Sequence, residues 1–333
     1  MSKTLLIGEI GLSHDGSLGV AMSMIDACKE ANLDFVKFQY HNAKYESTVN
    51  EVFRVKTYPQ DQSRYDYWQR TSFSTEEWKQ LVEHAKQKDI KFLCTPFSTW
   101  AANELLKFGL EDVKIASGDA DNWELLDFAK KNFSQIFLSI GMSTRDEVSK
   151  IRNFMKGYEG KFVIMQCTSS YPVELKRVGF NYISELKESF PHVGLSDHSG
   201  NVCVALASVV LNLAALEFHV VYSKKQFGPD SDSSLTFEEA NKVSVLRDSM
   251  TKLLDENYDK DDITNSLSEI RIIFGRGLAL KQDMKVGDEL FSENLTLKKP
   301  KGPLTWSDRE LIIGKRAKHN LKSSVHLNLS DFN

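Results

Sequence analysis

Short apolar, β-branched-rich runs closed by turn residues recur along most of the chain, at residues 4–8, 35–39, 91–95, 112–117, 135–139, 161–166, 192–196 and 214–219. Their length and composition predict strands. Between them the period lengthens to that of a helix, at 19–31, 76–87, 100–108, 122–131, 145–155 and 202–212. Three capping boxes are expected, each a hydroxyl and a carboxylate that satisfy two orphan backbone N–H groups: Ser74 with Glu77, Thr144 with Glu147, and Thr236 with Glu239. Strand alternating with helix calls for a parallel sheet. Eight such units ahead of residue 255 predict a closed (β/α)8 TIM barrel. An open doubly wound sheet would carry a dinucleotide-type glycine turn after its first strand. The turn here is Gly8-Glu-Ile-Gly-Leu-Ser-His-Asp-Gly16, and its spacing does not fit.

After residue 255 the rhythm changes. Residues 256–271 read as a polar, acidic linker between a barrel over 1–255 and a small α+β module over 272–333. The module is expected to hold short strands at 277–280 and 295–298, a short helix at 307–313 and a last strand near Val325. A unit of that size is marginal alone, so it is expected to dock on something.

Composition narrows the partners. With 333 residues, 41% hydrophobic and 26% charged, the chain has the make-up of a globular protein with a sizeable core. A net charge of −4 gives no electrostatic reason to expect nucleic acid or an anionic membrane. The first apolar run ends at Glu9 and lacks the features of a secretion signal. No stretch approaches the roughly 18 apolar residues of a membrane span. Cys28, Cys94, Cys167 and Cys203 are scattered without a Cys-x-x-Cys pair, which suits buried thiols in a reducing, cytoplasmic compartment.

In a barrel the C-terminal strand ends build the active site, and here they carry chemistry. Glu9 ends the first strand; Lys37 and Gln39, two apart, share one face of the second; Thr95 ends the third. Lys114 and Ser117 lie on the fourth, with Asp119 just beyond, and Ser139 is on the fifth. Gln166, Thr168 and Tyr171 follow the sixth, Ser196 and His198 the seventh, Glu217 and His219 the eighth. A lysine buried in a barrel strand is costly unless an anion meets it. Two lysines with several hydroxyls suit a ligand bearing phosphate and carboxylate. The bland alternative is that these lysines are tied to carboxylates or face helices. His198 and His219 end adjacent strands and could share a cation; an open N/O set without thiolate suits Mn²⁺ or Mg²⁺.

Ten strings now occur in order: Gly8-Glu-Ile-Gly, Ser13-His-Asp-Gly, Val36-Lys-Phe-Gln, Cys94-Thr-Pro-Phe, Lys114-Ile-Ala-Ser-Gly, Leu138-Ser-Ile-Gly-Met, Gln166-Cys-Thr-Ser-Ser-Tyr-Pro, Gly194-Leu-Ser-Asp-His, Leu216-Glu-Phe-His and Gly228-Pro-Asp. Together they resemble the N-acetylneuraminate (sialic acid) synthase family, and residues 276–333 resemble its C-terminal antifreeze-like (SAF) domain. The resemblance implies condensation of phosphoenolpyruvate with an open-chain N-acylhexosamine, to a nine-carbon 3-deoxy-ulosonic acid and phosphate. It implies a divalent metal on His198 and His219, with phosphoenolpyruvate on Lys37, Thr95, Lys114, Ser117, Ser139 and Ser196. It implies the sugar on Gln39, Asp119, Tyr171 and Asp230, and a domain-swapped homodimer; the chemistry of these groups adds Glu9 as the base acting on water.

Some positions depart from the family pattern. Asp119 stands where many bacterial members have Glu and Ser169, also taken as a substrate contact, where they have Asn; Lys299 takes the place of a sugar-binding arginine. The sugar is thereby left among N-acetylmannosamine, its 6-phosphate, and the diamino relatives that lead to legionaminate- or pseudaminate-type acids. Rival readings are a Schiff-base aldolase using Lys114, a metal-dependent hydrolase, and a non-enzymatic glycan- or ice-binding scaffold.

Overall fold

The computed structural model describes residues 3–53, 60–254 and 258–333. Eight parallel strands form its centre: β1 Leu5–Gly11, β2 Phe35–Tyr40, β3 Lys91–Pro96, β4 Asp112–Ile115, β5 Gln135–Ser139, β6 Lys161–Cys167, β7 Val193–Asp197 and β8 Ala215–Val221. They run in the order β3-β2-β1-β8-β7-β6-β5-β4, with β4 beside β3, so the sheet curls into a near-closed (β/α)8 barrel. A ninth strand, β9 Ser234–Thr236, extends β8 and leads into the last barrel helix, Phe237–Leu253. All three expected capping boxes form. The helices Arg64–Thr71 and Phe180–Ser189 were absent from the sequence pattern. The second follows Gly179 at φ 85°, a start without a side-chain cap and so without the usual sequence signal.

The barrel interior is built in layers because side chains alternate along a strand. Ile7, Phe35, Leu93, Phe137, Val163, Met165 and Ala215 form an apolar plug. Two residues further along those strands the same face is polar. A larger apolar shell, with Leu6, Val36, Phe38, Ile136, Leu138 and Phe218, packs the other strand face against the helices.

Between Glu9 and Gly11 the β1–β2 register slips by one residue. Gly11 sits at φ +55°, and a Cβ there would lie 3.5 Å from both the His219 ring and the Gln39 amide. A bulge with glycine in the left-handed region brings the backbone close to two site side chains at little steric cost.

The chain divides into two compact units, Met1–Asp255 and Glu256–Asn333. Of the stretch 256–271 expected to be a linker, residues 256 and 257 lie outside the described residues. From Lys260 the chain is helical, over Lys260–Ser266 and Ser268–Phe274. Asp259 explains the first helix: its Oδ1 accepts from the backbone N–H of Asp261 and Asp262. An acidic stretch can therefore be a capped helix rather than a tether. In the C-terminal unit β10 Gly277–Leu280 pairs antiparallel with β11 Leu295–Lys298, over a core that includes Leu278, Leu280, Leu290, Ile312 and Leu327. The expected helix near 307–313 is a 3₁₀ helix over Trp306–Leu311, and instead of a strand at Val325 a single bridge joins His326 to Ala279.

Candidate active site

One residue from every strand forms the layer above the plug: Glu9, Lys37, Thr95, Lys114, Ser139, Cys167, Ser196 and Glu217 all line one cavity of about 80 Å³. Gln39, Phe97, Ala116, Ser117, Tyr171, His198 and His219 complete its wall. The register explains the convergence, since Glu9 faces Lys37 on one side and His219 on the other, and Ser196 faces Glu217.

The layer holds two cations and two anions. Lys37 Nζ lies 2.6 Å from Glu9 Oε2 and 3.6 Å from Glu217 Oε1. Lys114 Nζ donates to Ser139 Oγ at 2.7 Å and to the Ile115 carbonyl at 3.1 Å, with Glu217 Oε2 at 3.9 Å. Ser196 Oγ donates to Glu217 Oε1 at 3.3 Å, while Glu217 Oε2 makes no hydrogen bond among the described residues. Burial opposes charge on both lysines. For Lys37 the carboxylates of Glu217 and Glu9 outweigh it and hold the ammonium above its ordinary range. For Lys114 burial, joined by the neighbouring Lys37 ammonium, wins over Glu217 and Glu9 and pulls it down. Glu217 stays below the usual carboxylate range because Lys114 and Lys37 overcome the burial that would raise it. The tie between lysine and carboxylate that could have explained these residues away is thus present, and it leaves Lys114 the less compensated of the two.

His198 and His219 stand with ring centroids 5.4 Å apart at 48°. Burial first, and then its neighbour His219, push His198 down to about 3, so its imidazole is neutral at ordinary pH. Its Nε2 is 3.1 Å from Tyr171 OH and its Nδ1 3.6 Å from Cys167 Sγ. Cys167 is itself a neutral thiol, raised to about 11 mainly by burial. His219 Nδ1 is buried without a hydrogen-bond partner among the described residues, the kind of atom a cation would satisfy. Among the described residues no three His, Cys, Asp or Glu side chains gather as a cation cage. The donors fit an ion only as an open pair of imidazoles, with other positions filled by water or ligand.

A second cavity of about 330 Å³ adjoins the first, sharing Gln39, Phe97, Tyr171 and His219. Asp119, Asp230, Glu46, Glu51, Arg64, Tyr67 and Trp68 line it. Burial raises the Asp119 carboxyl, although Asn122 donates to it at 3.0 Å. His41 is stacked between Trp68 at 3.8 Å and Phe97 at 4.2 Å, both within 10° of parallel.

Of the residues singled out in the sequence, Glu9, Lys37, Gln39, Thr95, Lys114, Ser117, Ser139, Tyr171, Ser196, His198 and His219 meet in the first cavity, and Asp119 and Asp230 in the second. Ser169 lines neither and instead hydrogen-bonds Ser117 at 2.7 Å. Lys299 belongs to the C-terminal unit, its ammonium 4.9 Å above the Phe274 ring. Cys167 and His41 were missed, and Glu217 was noted only as a strand-end group. Two of these had a signal: Glu217 is two residues before His219, and His41 two after Gln39, on the same strand faces.

A sequence model of the NeuB family matches residues 24–257. The chain is 32% identical to the N,N'-diacetyllegionaminic acid synthase of Campylobacter jejuni, over 97% of this chain and 98% of that protein. It is 29% identical to the pseudaminic acid synthase of the same organism, over 99% and 97%. Among solved structures, the N-acetylneuraminic acid synthetase of Leptospira borgpetersenii, determined with citrate, superposes with a TM-score of 0.69 at 25% identity, covering 81% of this chain and 93% of that one.

Proposed function

Because the chain belongs to the NeuB family, we propose that it condenses phosphoenolpyruvate with an open-chain acylamino sugar and releases a nine-carbon 3-deoxy-ulosonic acid and phosphate. The observation that carries this reading is the pair of buried lysines, Lys37 and Lys114, set among Thr95, Ser139 and Ser196 at the floor of a cup whose rim holds two imidazoles.

The lysines neutralise the phosphate and carboxylate of phosphoenolpyruvate and fix the enol in place, which is positioning and electrostatics rather than covalent chemistry. Carbon 3 of the enol forms a bond to the sugar aldehyde carbon, whose oxygen gains a proton, and carbon 2 becomes electron-poor. Water adds at carbon 2; Glu9 takes one of its protons, which ends on the oxygen of the former aldehyde, and the other leaves the carbon-2 hydroxyl with the departing phosphate as that C–O bond breaks and the keto group forms. Glu217, held ionised by both lysines, stabilises the positive charge that develops at carbon 2. A divalent cation, Mn²⁺ or Mg²⁺, held by His198 and His219 would supply Lewis-acid polarisation of the aldehyde oxygen. Gln39, Asp119, Tyr171 and Asp230, which border the larger cavity, orient the sugar.

The relatives named as legionaminic and pseudaminic acid synthases support a diamino sugar as the acceptor. The C-terminal unit acts as an SAF domain over a second copy's site, with Lys299 reaching the acyl group of the sugar. The exposed Ile270, Ile272, Ile273 and Phe274 in that unit support a domain-swapped homodimer. Three buried free thiols and no described helix able to cross a membrane accord with a cytoplasmic location.

The test is phosphate release from phosphoenolpyruvate with N-acetylmannosamine, its 6-phosphate and 2,4-diacetamido sugars. Release with at least one sugar is expected, and silence with all of them rejects the reaction. The depressed Lys114 also suits a Schiff-base aldolase. Borohydride trapping of a pyruvate adduct on Lys114 would favour that reading; none is expected.

A further inference from the structure

Gln39 is bonded at both ends. Its amide nitrogen donates to Glu9 Oε1 at 2.6 Å, and its carbonyl oxygen lies 3.0 Å from His41 Nε2. The other ring nitrogen, Nδ1, lies 2.8 Å from Glu46 Oε1. Glu46 is fixed in turn, since its Oε2 accepts from the backbone N–H of Asn42 at 3.2 Å.

The orientation of the amide follows from Glu9. That carboxylate is paired with the Lys37 ammonium at 2.6 Å and can only accept, so the side of Gln39 facing it must be the N–H donor. The carbonyl is left for His41. Glu46 Oε1 is held at the other ring nitrogen, so the ring bridges the Gln39 carbonyl and the Glu46 carboxylate. The ring is buried, and its two faces are covered by Trp68 and Phe97. That sandwich prevents the ring from swinging.

We propose that His41 is a positioning residue for the condensation: it ties Glu46 to the Gln39 carbonyl and so keeps the Gln39 amide turned onto Glu9. The inference rests on the reaction proposed above. Without His41 the Gln39 carbonyl loses its partner at 3.0 Å, and only the contact with the Glu9 carboxylate is left to hold the amide. The phosphoenolpyruvate contacts come from other side chains, so the loss falls on turnover rather than on that ligand's binding.

The experiment is a double-mutant cycle on phosphate release, using the sugar that supports it. His41→Leu is expected to lower kcat about 10- to 50-fold while the KM for phosphoenolpyruvate stays within about threefold. In a Gln39→Ala background the same substitution should change kcat by less than about twofold, because the link it served is already gone. An equal loss in both backgrounds, or a KM that rises in step with the fall in kcat, overturns the proposal. A second measurement guards against misfolding of the variant: the far-UV circular dichroism and urea midpoint of His41→Leu should stay close to those of the unsubstituted protein. A folded His41→Leu enzyme with unchanged kcat rejects this inference alone. Absence of phosphate release with every sugar rejects the reaction, and the catalytic part of this inference with it.

Discussion

The two adjoining cavities are made differently. The smaller one is floored by one residue from each of eight strands, standing directly on an apolar plug that has the same strand alternation. The larger is walled mostly by segments beyond the strand ends: Glu46, Glu51, Arg64, Tyr67 and Trp68 lie between β2 and β3, Asp119 after β4, Asp230 after β8. The smaller carries balanced, buried charge; the larger carries aromatic faces and carboxylates, with Arg64 already 3.2 Å from Glu51. The contrast teaches a division of labour. Under the proposed reaction, a rigid sheet holds the groups that would meet the invariant reactant within fractions of an ångström, and loops shape the part that would receive a variable one.

Four measurements would break or sharpen that division. Removing divalent cations with EDTA should abolish phosphate release, and Mn²⁺ or Mg²⁺ should restore it; full activity in EDTA would leave the imidazole pair without its proposed role. Lys114→Met should cut kcat/KM for phosphoenolpyruvate by about 10³-fold or more. A change of a few fold would mean that the strand-borne layer is not where the anion sits. Phe137→Ala, in the plug beneath Ser139, should lower stability by about 3–5 kcal/mol in urea unfolding. The kcat of the folded fraction should change far less, unless plug and chemistry are one cooperative unit. Trp68→Ala should raise the KM of the sugar about 10-fold and leave that of phosphoenolpyruvate within twofold. Equal effects on both would merge the two cavities into one functional surface.

Legibility followed periodicity. Alternation with period 2 puts Lys37 and Gln39 on one face; the same rule reaches His41 two residues after Gln39, and Glu217 two residues before His219. The capped helices starting after Ser74, Thr144 and Thr236 were visible because a capping box is a local, chemical signal. The helix Phe180–Ser189 was not, since a left-handed glycine begins it. The helices over Lys260–Ser266 and Ser268–Phe274 were hidden by acidic composition that looks like a solvated tether.

Several things were settled by the order of residues alone: eight strand–helix repeats, lysines and imidazoles at strand ends, and a change of character after residue 255. Each depends on neighbours within a few positions, where backbone geometry dictates which side chains share a face. Only the folded barrel decided which charges meet. Glu9 and Lys37 are 28 residues apart in the chain and Glu217 is 208 from Glu9, yet all three converge on one layer through strand register. Strand order and register arise from closing a twisted sheet around its packed interior, and no local pattern encodes them.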